Sequence, residues 1–228
     1  MATISSISLS ARANILAKLK KEVVGADYSK LPPEPDYIYP DLTHQEQLAQ
    51  FITHLENNHA QVIKTDLFNM AHVVTEQLKQ RDIDSLLYGK NSQYSGHIEA
   101  IDSSITLSDF DFSIDKDNSA AKTRLFYQTP AGITGSRCSI AATGSIVLWP
   151  TPQEPRTLSL VPPVHFVIVD AKQLYSDFAT LIKEQKWQQN LPTNAILISG
   201  PSKTADIQQT LAYGAHGPKE LIVLLLNS

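Results

Sequence analysis

AILISGPSKTADIQQTLAYGAHGPKELIVLLL, residues 195–226, decides how the rest of the chain is read. It opens on an apolar run, Ala195–Ile198, and passes through a polar turn, Ser199-Gly200-Pro201-Ser202-Lys203-Thr204. Ile207 and Leu211 stand four apart and so share one face of a short helix after that turn. Asp206 falls in its first turn, where the helix dipole favours negative charge, and Gly214 is placed to end it. A second turn, Gly214-Ala215-His216-Gly217-Pro218, then feeds the apolar run Leu221–Leu226. The expected unit is strand, turn, helix, turn, strand. A strand that empties through glycine and small hydroxyl residues into a helix leaves backbone N–H groups unpaired at the helix start, which favours a bound anion. Gly200, Ser202, Lys203 and Thr204 are therefore candidate anion-binding residues, with His216 nearby in the second turn. The competing reading is a capped turn carrying a surface lysine.

Immediately upstream, Phe166–Val169 is a continuous apolar run, as expected of a central parallel strand covered on both faces. Leu174, Phe178, Leu181 and Ile182 mark a helix after it. Further back, Ala131-Gly132-Ile133-Thr134-Gly135 and Ser139–Ser145 crowd small residues ahead of a buried-type strand, Ile146–Trp149. Such crowding permits close approach, either to another backbone or to a ligand. Thr143, Gly144 and Ser145 join the candidate ligand-binding set on that ground, as a turn facing the same crevice.

Towards the N-terminus, Thr43-His44-Gln45-Glu46 matches a capping box, and Leu48, Phe51, Ile52 and Leu55 follow at helical spacing. A strand at Gln61–Lys64, a helix face of Met70, Val73, Val74 and Leu78, and a strand at Ser85–Tyr88 come next. That alternation predicts an α/β domain, a mostly parallel sheet flanked by helices, over residues 43–228. Residues 10–23 read as a basic helix capped by Ser10, with Ile15, Leu16, Leu19 and Val23 on one stripe. The prolines at 32, 33, 35 and 40 fix an extended path, so residues 1–42 read as a helical arm and linker. Between 89 and 131 the periodicity weakens, and a surface connection with one short strand is expected. Asp109, Asp111, Asp115 and Asp117 do not make a calcium loop, because Ile114 and Ala120 stand where glycine and glutamate are required.

Composition narrows the function classes. The chain has 228 residues, 18% charged, and a net charge of −4. No basic excess points to nucleic acid. A single cysteine, Cys138, cannot build a disulfide framework or a cluster-binding set within the chain, so no cofactor is expected in it. No apolar stretch is long enough for a membrane span, and the first residues lack signal-peptide order, so the expected location is cytoplasmic. Gly200 lies only three residues before Lys203, which fails the phosphate-binding loop spacing of an ATPase. His54 and His59 miss the spacing of a helical zinc pair, and no metal site is expected. His165 and His216 read as histidines that satisfy turn backbone groups or as site residues; Cys138 has no base beside it in sequence.

Taken together, Thr143-Gly144-Ser145, Leu160-Val161-Pro162-Pro163-Val164-His165, Ser199–Ile207 and Gly214–Pro218 resemble the LUD-domain family, in the layout of its lactate-utilisation members. Two positions depart from the family pattern: Ala142 stands where an acidic residue is usual, and Ile222 where histidine is usual. The resemblance implies a fold similar to the CoA-transferase, ribose-5-phosphate isomerase and formyltetrahydrofolate cyclo-ligase group. It also implies a non-redox component of bacterial L-lactate oxidation to pyruvate, working with iron–sulfur and cysteine-rich sister proteins. A small carboxylate or phosphate ligand and a homo-oligomer are further expectations. The alternative is a small-molecule enzyme resembling the cyclo-ligases and using nucleotide phosphate; no catalytic residue is assigned under either reading.

Overall fold

The computed structural model describes the backbone of residues 3–25, 27, 39–109, 123, 125–205, 211–213 and 217–227, and the side chains of all these but 3–10, 204, 205 and 211–213. The chain forms two compact units, Met1–Ile38 and Tyr39–Ser228. The first contains α1 (Thr3–Glu22). This helix begins well before Ser10, which is therefore interior and not a cap. Ile15, Leu16, Leu19 and Val23, the expected apolar stripe, are all exposed. The proline-rich path lies mostly outside the described residues.

In the second unit α2 (His44–Asn57) starts at the expected capping box. The Thr43 N–H and hydroxyl both donate to the Glu46 carboxylate, at 2.8 and 2.7 Å, and the Glu46 N–H returns to the Thr43 hydroxyl. Phe51 and Leu55 carry the buried face. The chain continues through β1 (Gln61–Thr65), α3 (Met70–Lys79), β2 (Ser85–Tyr88), α4 (Ser95–Ile98), β3 (Thr106–Asp109) and β4 (Ala131–Gly135). Next come β5 (Cys138–Ile140), β6 (Ser145–Leu148), α5 (Arg156–Leu160), β7 (Val164–Asp170), β8 (Leu174–Tyr175) and α6 (Phe178–Glu184). The last elements are β9 (Ile196–Ile198), β10 (Lys203–Ala205), β11 (Leu211–Tyr213) and β12 (Glu220–Leu226).

Six strands make the main sheet in the order β1-β12-β7-β4-β2-β3, and every pairing in it is parallel. β7 and β12 pair over seven residues, from Val164 with Glu220 to Asp170 with Leu226. Their side chains alternate between two cores, as a strand's period of two requires. Phe166, Ile168, Ile222 and Leu224 pack with Val74, Leu78 and Ile98 from α3 and α4. Val167, Val169, Val223 and Leu225 pack on the other face with Phe51 and Leu55 of α2 and with Ile146 and Leu148 of β6. Burial on both faces explains the continuous apolar runs.

Three expectations need correction. Residues 89–109 are more than a surface connection: Tyr94, Ile98, Ile101 and Ile105 are core residues, and β3 completes an edge of the main sheet. β9 is absent from the parallel sheet; it pairs antiparallel with β6 in a four-stranded sheet ordered β8-β5-β6-β9. Most consequentially, no helix follows the 199–204 turn at its expected start. Lys203–Ala205 is a strand, paired antiparallel with Leu211–Tyr213. The helical signal rested on a single i, i+4 pair, and so short a helix is marginal without a packed face. Ladder pairing between Thr204 and Ala212 wins instead. Asp206, Ile207 and Gly214 lie outside the described residues, as do Asp111, Asp115 and Asp117 of the acidic stretch.

Candidate functional site: the end of helix α2 and the cleft beside it

Two of the small-residue turns rest on the last turn of α2. Gly144 has φ +59°, and a Cβ there would stand 2.4 Å from the Cβ of His54. A Cβ on Gly200 would stand 2.6 Å from the Asn58 carbonyl oxygen. His54 and Asn58 are four residues apart, so the turns dock side by side on one edge of the helix. The Ser202 N–H donates to the Pro218 carbonyl at 2.9 Å, which draws in the second turn. The structure thus gathers Thr143, Gly144, Ser145, Gly200, Ser202 and Lys203 around one helix end. His216 and the Thr204 side chain lie outside what is described. The Thr143 hydroxyl donates to that of Ser145 at 2.8 Å, and the Lys203 ammonium reaches the Asn58 Oδ1 at 3.5 Å.

The polarity of this helix end matters. The expected anion site drew on the N–H groups of a helix start near Thr204, and β10 stands there instead. The turn meets the C-terminus of α2, whose partial charge is negative and favours a cation. Lys203 is such a cation.

Beside the turn an open cleft of about 360 Å³ is lined by His59, Gln61, Pro201, Lys219, Glu220, Leu221 and Ile222. It lies at the amino ends of β1 and β12. Arg81 organises one wall: its Nε donates to Glu220 at 2.8 Å, and its other nitrogens donate to Gln61 and Gln77 at 2.9 Å. The Glu220 charge is thereby balanced, and the exposed ammonium of Lys219 gives the described lining of the cleft a net positive charge. Ile222 is fully buried and gives an apolar floor. Ala142 hydrogen-bonds through its N–H to the Ser176 carbonyl.

His59 ends α2. Its N–H donates to the Glu56 carbonyl and the Ala60 N–H to that of Leu55, at 2.9 and 3.0 Å, which is the Schellman pattern. The position after such a cap normally takes glycine, yet His59 holds φ +66°. A left-handed non-glycine residue lining a cleft is the kind of strain found at binding sites. Sequence reasoning weighs His59 only as half of a zinc pair and does not single out Lys219 or Arg81, because a histidine after Asn57-Asn58 does not announce its backbone conformation.

Two other candidates resolve as structural. His165 is fully buried on β7, its Nε2 2.8 Å from the Thr134 hydroxyl, and burial pushes its pKa down to about 3. It is a neutral cross-strand bridge. Burial pushes the Cys138 thiol up to about 12 against the smaller pull of Arg137, so it carries no reactive thiolate. Among the described residues no group of three or more His, Cys, Asp or Glu could hold a metal, and no helix is long and apolar enough to cross a membrane.

The sequence signature of the LUD domain matches residues 48–226, which takes in all but the first turn of α2, both turns and the cleft. The chain belongs to the LUD-domain family. An uncharacterized protein of Neisseria meningitidis serogroup B is 38% identical over 96% of this chain and 94% of its own. Lactate utilization protein C of Oceanobacillus iheyensis is 23% identical over 94% of this chain and 96% of its own, and lactate utilization protein C 1 of Bacillus mycoides 26% over 83% of each. A crystal structure of a DUF162 family protein from Deinococcus radiodurans superposes with a TM-score of 0.59 at 15% identity, covering 82% of this chain and 99% of the other. At that identity the likeness concerns fold alone: a LUD domain built on a parallel sheet between helices.

Proposed function

We propose that this LUD-domain chain serves lactate utilisation as the non-redox component of a bacterial system that oxidises L-lactate to pyruvate, beside iron–sulfur and cysteine-rich partner proteins. Its cleft would hold a small carboxylate. The names of the similar proteins support the first part. The observation that carries the second is the charge of the cleft: among the described residues no acid pairs with Lys219, since Glu220 is matched by Arg81. The single, buried Cys138 agrees with a division of labour in which partners supply the redox centres. The exposed stripe of α1 offers such a partner, or a second copy, an apolar docking line. A nucleotide-using enzyme is less well supported, because strand β10 stands where the helix start near Thr204 would have offered its N–H groups to a phosphate.

Thermal melts of the isolated protein with L-lactate, pyruvate, phosphate and nucleotides test the ligand. A carboxylate at 100 times its Kd adds about 2.7 kcal/mol of stability, and Lys219→Ala should remove most of that shift. Affinity purification from cells grown on L-lactate tests the partners, with iron–sulfur proteins expected in the eluate. Stabilisation by nucleotide alone, with no such partner recovered, would overturn the proposal in favour of the enzyme reading.

A further inference from the structure

In an open parallel sheet, a ligand crevice forms where the connections leaving two adjacent strands run to opposite faces, at the strands' carboxyl ends. Here that point lies between β2 and β4. The chain leaves β2 through α4 on the α3 face, and leaves β4 through β5 and β6 on the α2 face. The place is filled by the chain's own segment 150–155. A Cβ on Gly89, just past β2, would stand 2.5 Å from the Gln153 carbonyl oxygen and 2.7 Å from the Glu154 Cγ. One on Gly135, the last residue of β4, would stand 3.2 Å from the Tyr94 ring and 3.6 Å from the Glu154 carboxylate.

The segment is closed on itself. The Thr151 N–H donates to the Glu154 carbonyl and the Glu154 N–H to the Thr151 hydroxyl, both at 3.0 Å, between Pro150, Pro152 and Pro155. Its polar tie to the sheet is the Glu154 carboxylate, which accepts the Gly135 N–H on both oxygens at 3.2 Å. Among the described ion pairs none includes Glu154. Burial raises its pKa, with the Gly135 N–H and the Ser92 side opposing. The Ser92 hydroxyl faces that carboxylate buried and without a well-formed hydrogen bond. A carboxylate that reaches a strand-end N–H, with no cation paired to it among the described residues, is arranged as a bound acid would be.

We propose that residues 150–155 form a strap over the crevice between β2 and β4, in which Glu154 stands in for a small carboxylic acid. When the strap lifts, the acid's carboxylate takes the Gly135 N–H, with the Tyr94 ring as its wall. Self-occupation lowers the apparent affinity by the fraction of molecules that are open. This site is separate from the cleft, which lies at the opposite, amino ends of β1 and β12.

The test is amide NMR of the full chain, following Gly135 during titration with sodium acetate or L-lactate against a sodium chloride control. Wild type should respond weakly. Glu154→Ala should bind roughly tenfold tighter or better, because the occupant has been removed. Glu154→Gln, whose side-chain oxygen still accepts the N–H, should stay near wild type. Lys219→Ala should leave the Gly135 response intact whether or not the cleft binds anything. An unmoved Gly135 amide in Glu154→Ala, a response equal to that of chloride, or loss of the response in Lys219→Ala would each overturn the strap. Should Glu154→Ala fail to fold, wild type decides: no shift at high acetate beyond that of chloride overturns it equally.

Discussion

At the scale of single residues, His59 is the position where fold and function pull apart. A left-handed backbone costs an L-residue roughly 1–2 kcal/mol, and glycine recovers most of this, less the larger unfolded-state entropy that it brings. His59→Gly should therefore raise stability by up to about 1 kcal/mol. The same change removes an imidazole from the cleft wall. Paired melts with and without L-lactate should show a higher melting temperature for the unliganded variant and a smaller ligand shift. A variant that keeps the full ligand shift would mean that the ring takes no part in binding.

At the scale of elements, α2 is the anvil on which two turns are shaped. Gly144→Ala would combine positive φ with a Cβ 2.4 Å from that of His54. A cost of about 2 kcal/mol or more is expected in urea denaturation, from backbone strain and overpacking together. A near-zero cost would show that the turn lifts freely from the helix. The same elements show what was legible in the sequence. The α2 capping box and the apolar runs of β7 and β12 are legible in the sequence, because a cap is local and burial on both faces leaves a pattern in composition. The β10–β11 pairing has no local signature, because its ladder joins residues six to ten apart, while the Ile207–Leu211 spacing speaks for a helix. Glu154 and Lys219 had no local signature. Their surroundings are made by segments far away in the chain: Gly135 for one, Gln61 and Pro201 for the other.

At the scale of the whole molecule, His165 ties global stability to pH. Its pKa is about 3 in the fold, against about 6.5 for an unfolded histidine. Between those values the unfolded chain binds the extra proton, so stability rises with pH. His165 therefore contributes no penalty above pH about 6.5, and stability is lost progressively as the pH falls from there towards 3, by at most about 1.4 kcal/mol per pH unit. Urea midpoints measured from pH 7 to 4 should decline accordingly. His165→Gln, which keeps a partner for the Thr134 hydroxyl, should flatten the decline; an equal slope in the variant would place the acid sensitivity elsewhere. Glu154, whose pKa is raised, acts in the opposite sense: its share is fully present below its unfolded value, about 4.3, and is lost as pH rises through the folded one.

The order of strands in the main sheet also sets a timetable. β1 has one neighbour in the sheet, β12, and β12 comes after every other described strand in chain order. An emerging nascent chain can therefore offer β1 no partner until residue 226 has cleared the ribosome. Until then Val62 and Ile63, together with one side of β7, wait uncovered, while the connections that will bury them span most of the chain. A sheet closed by its final strand folds late and slowly, and it spends its synthesis with sticky strand edges exposed to chaperones and to other nascent copies.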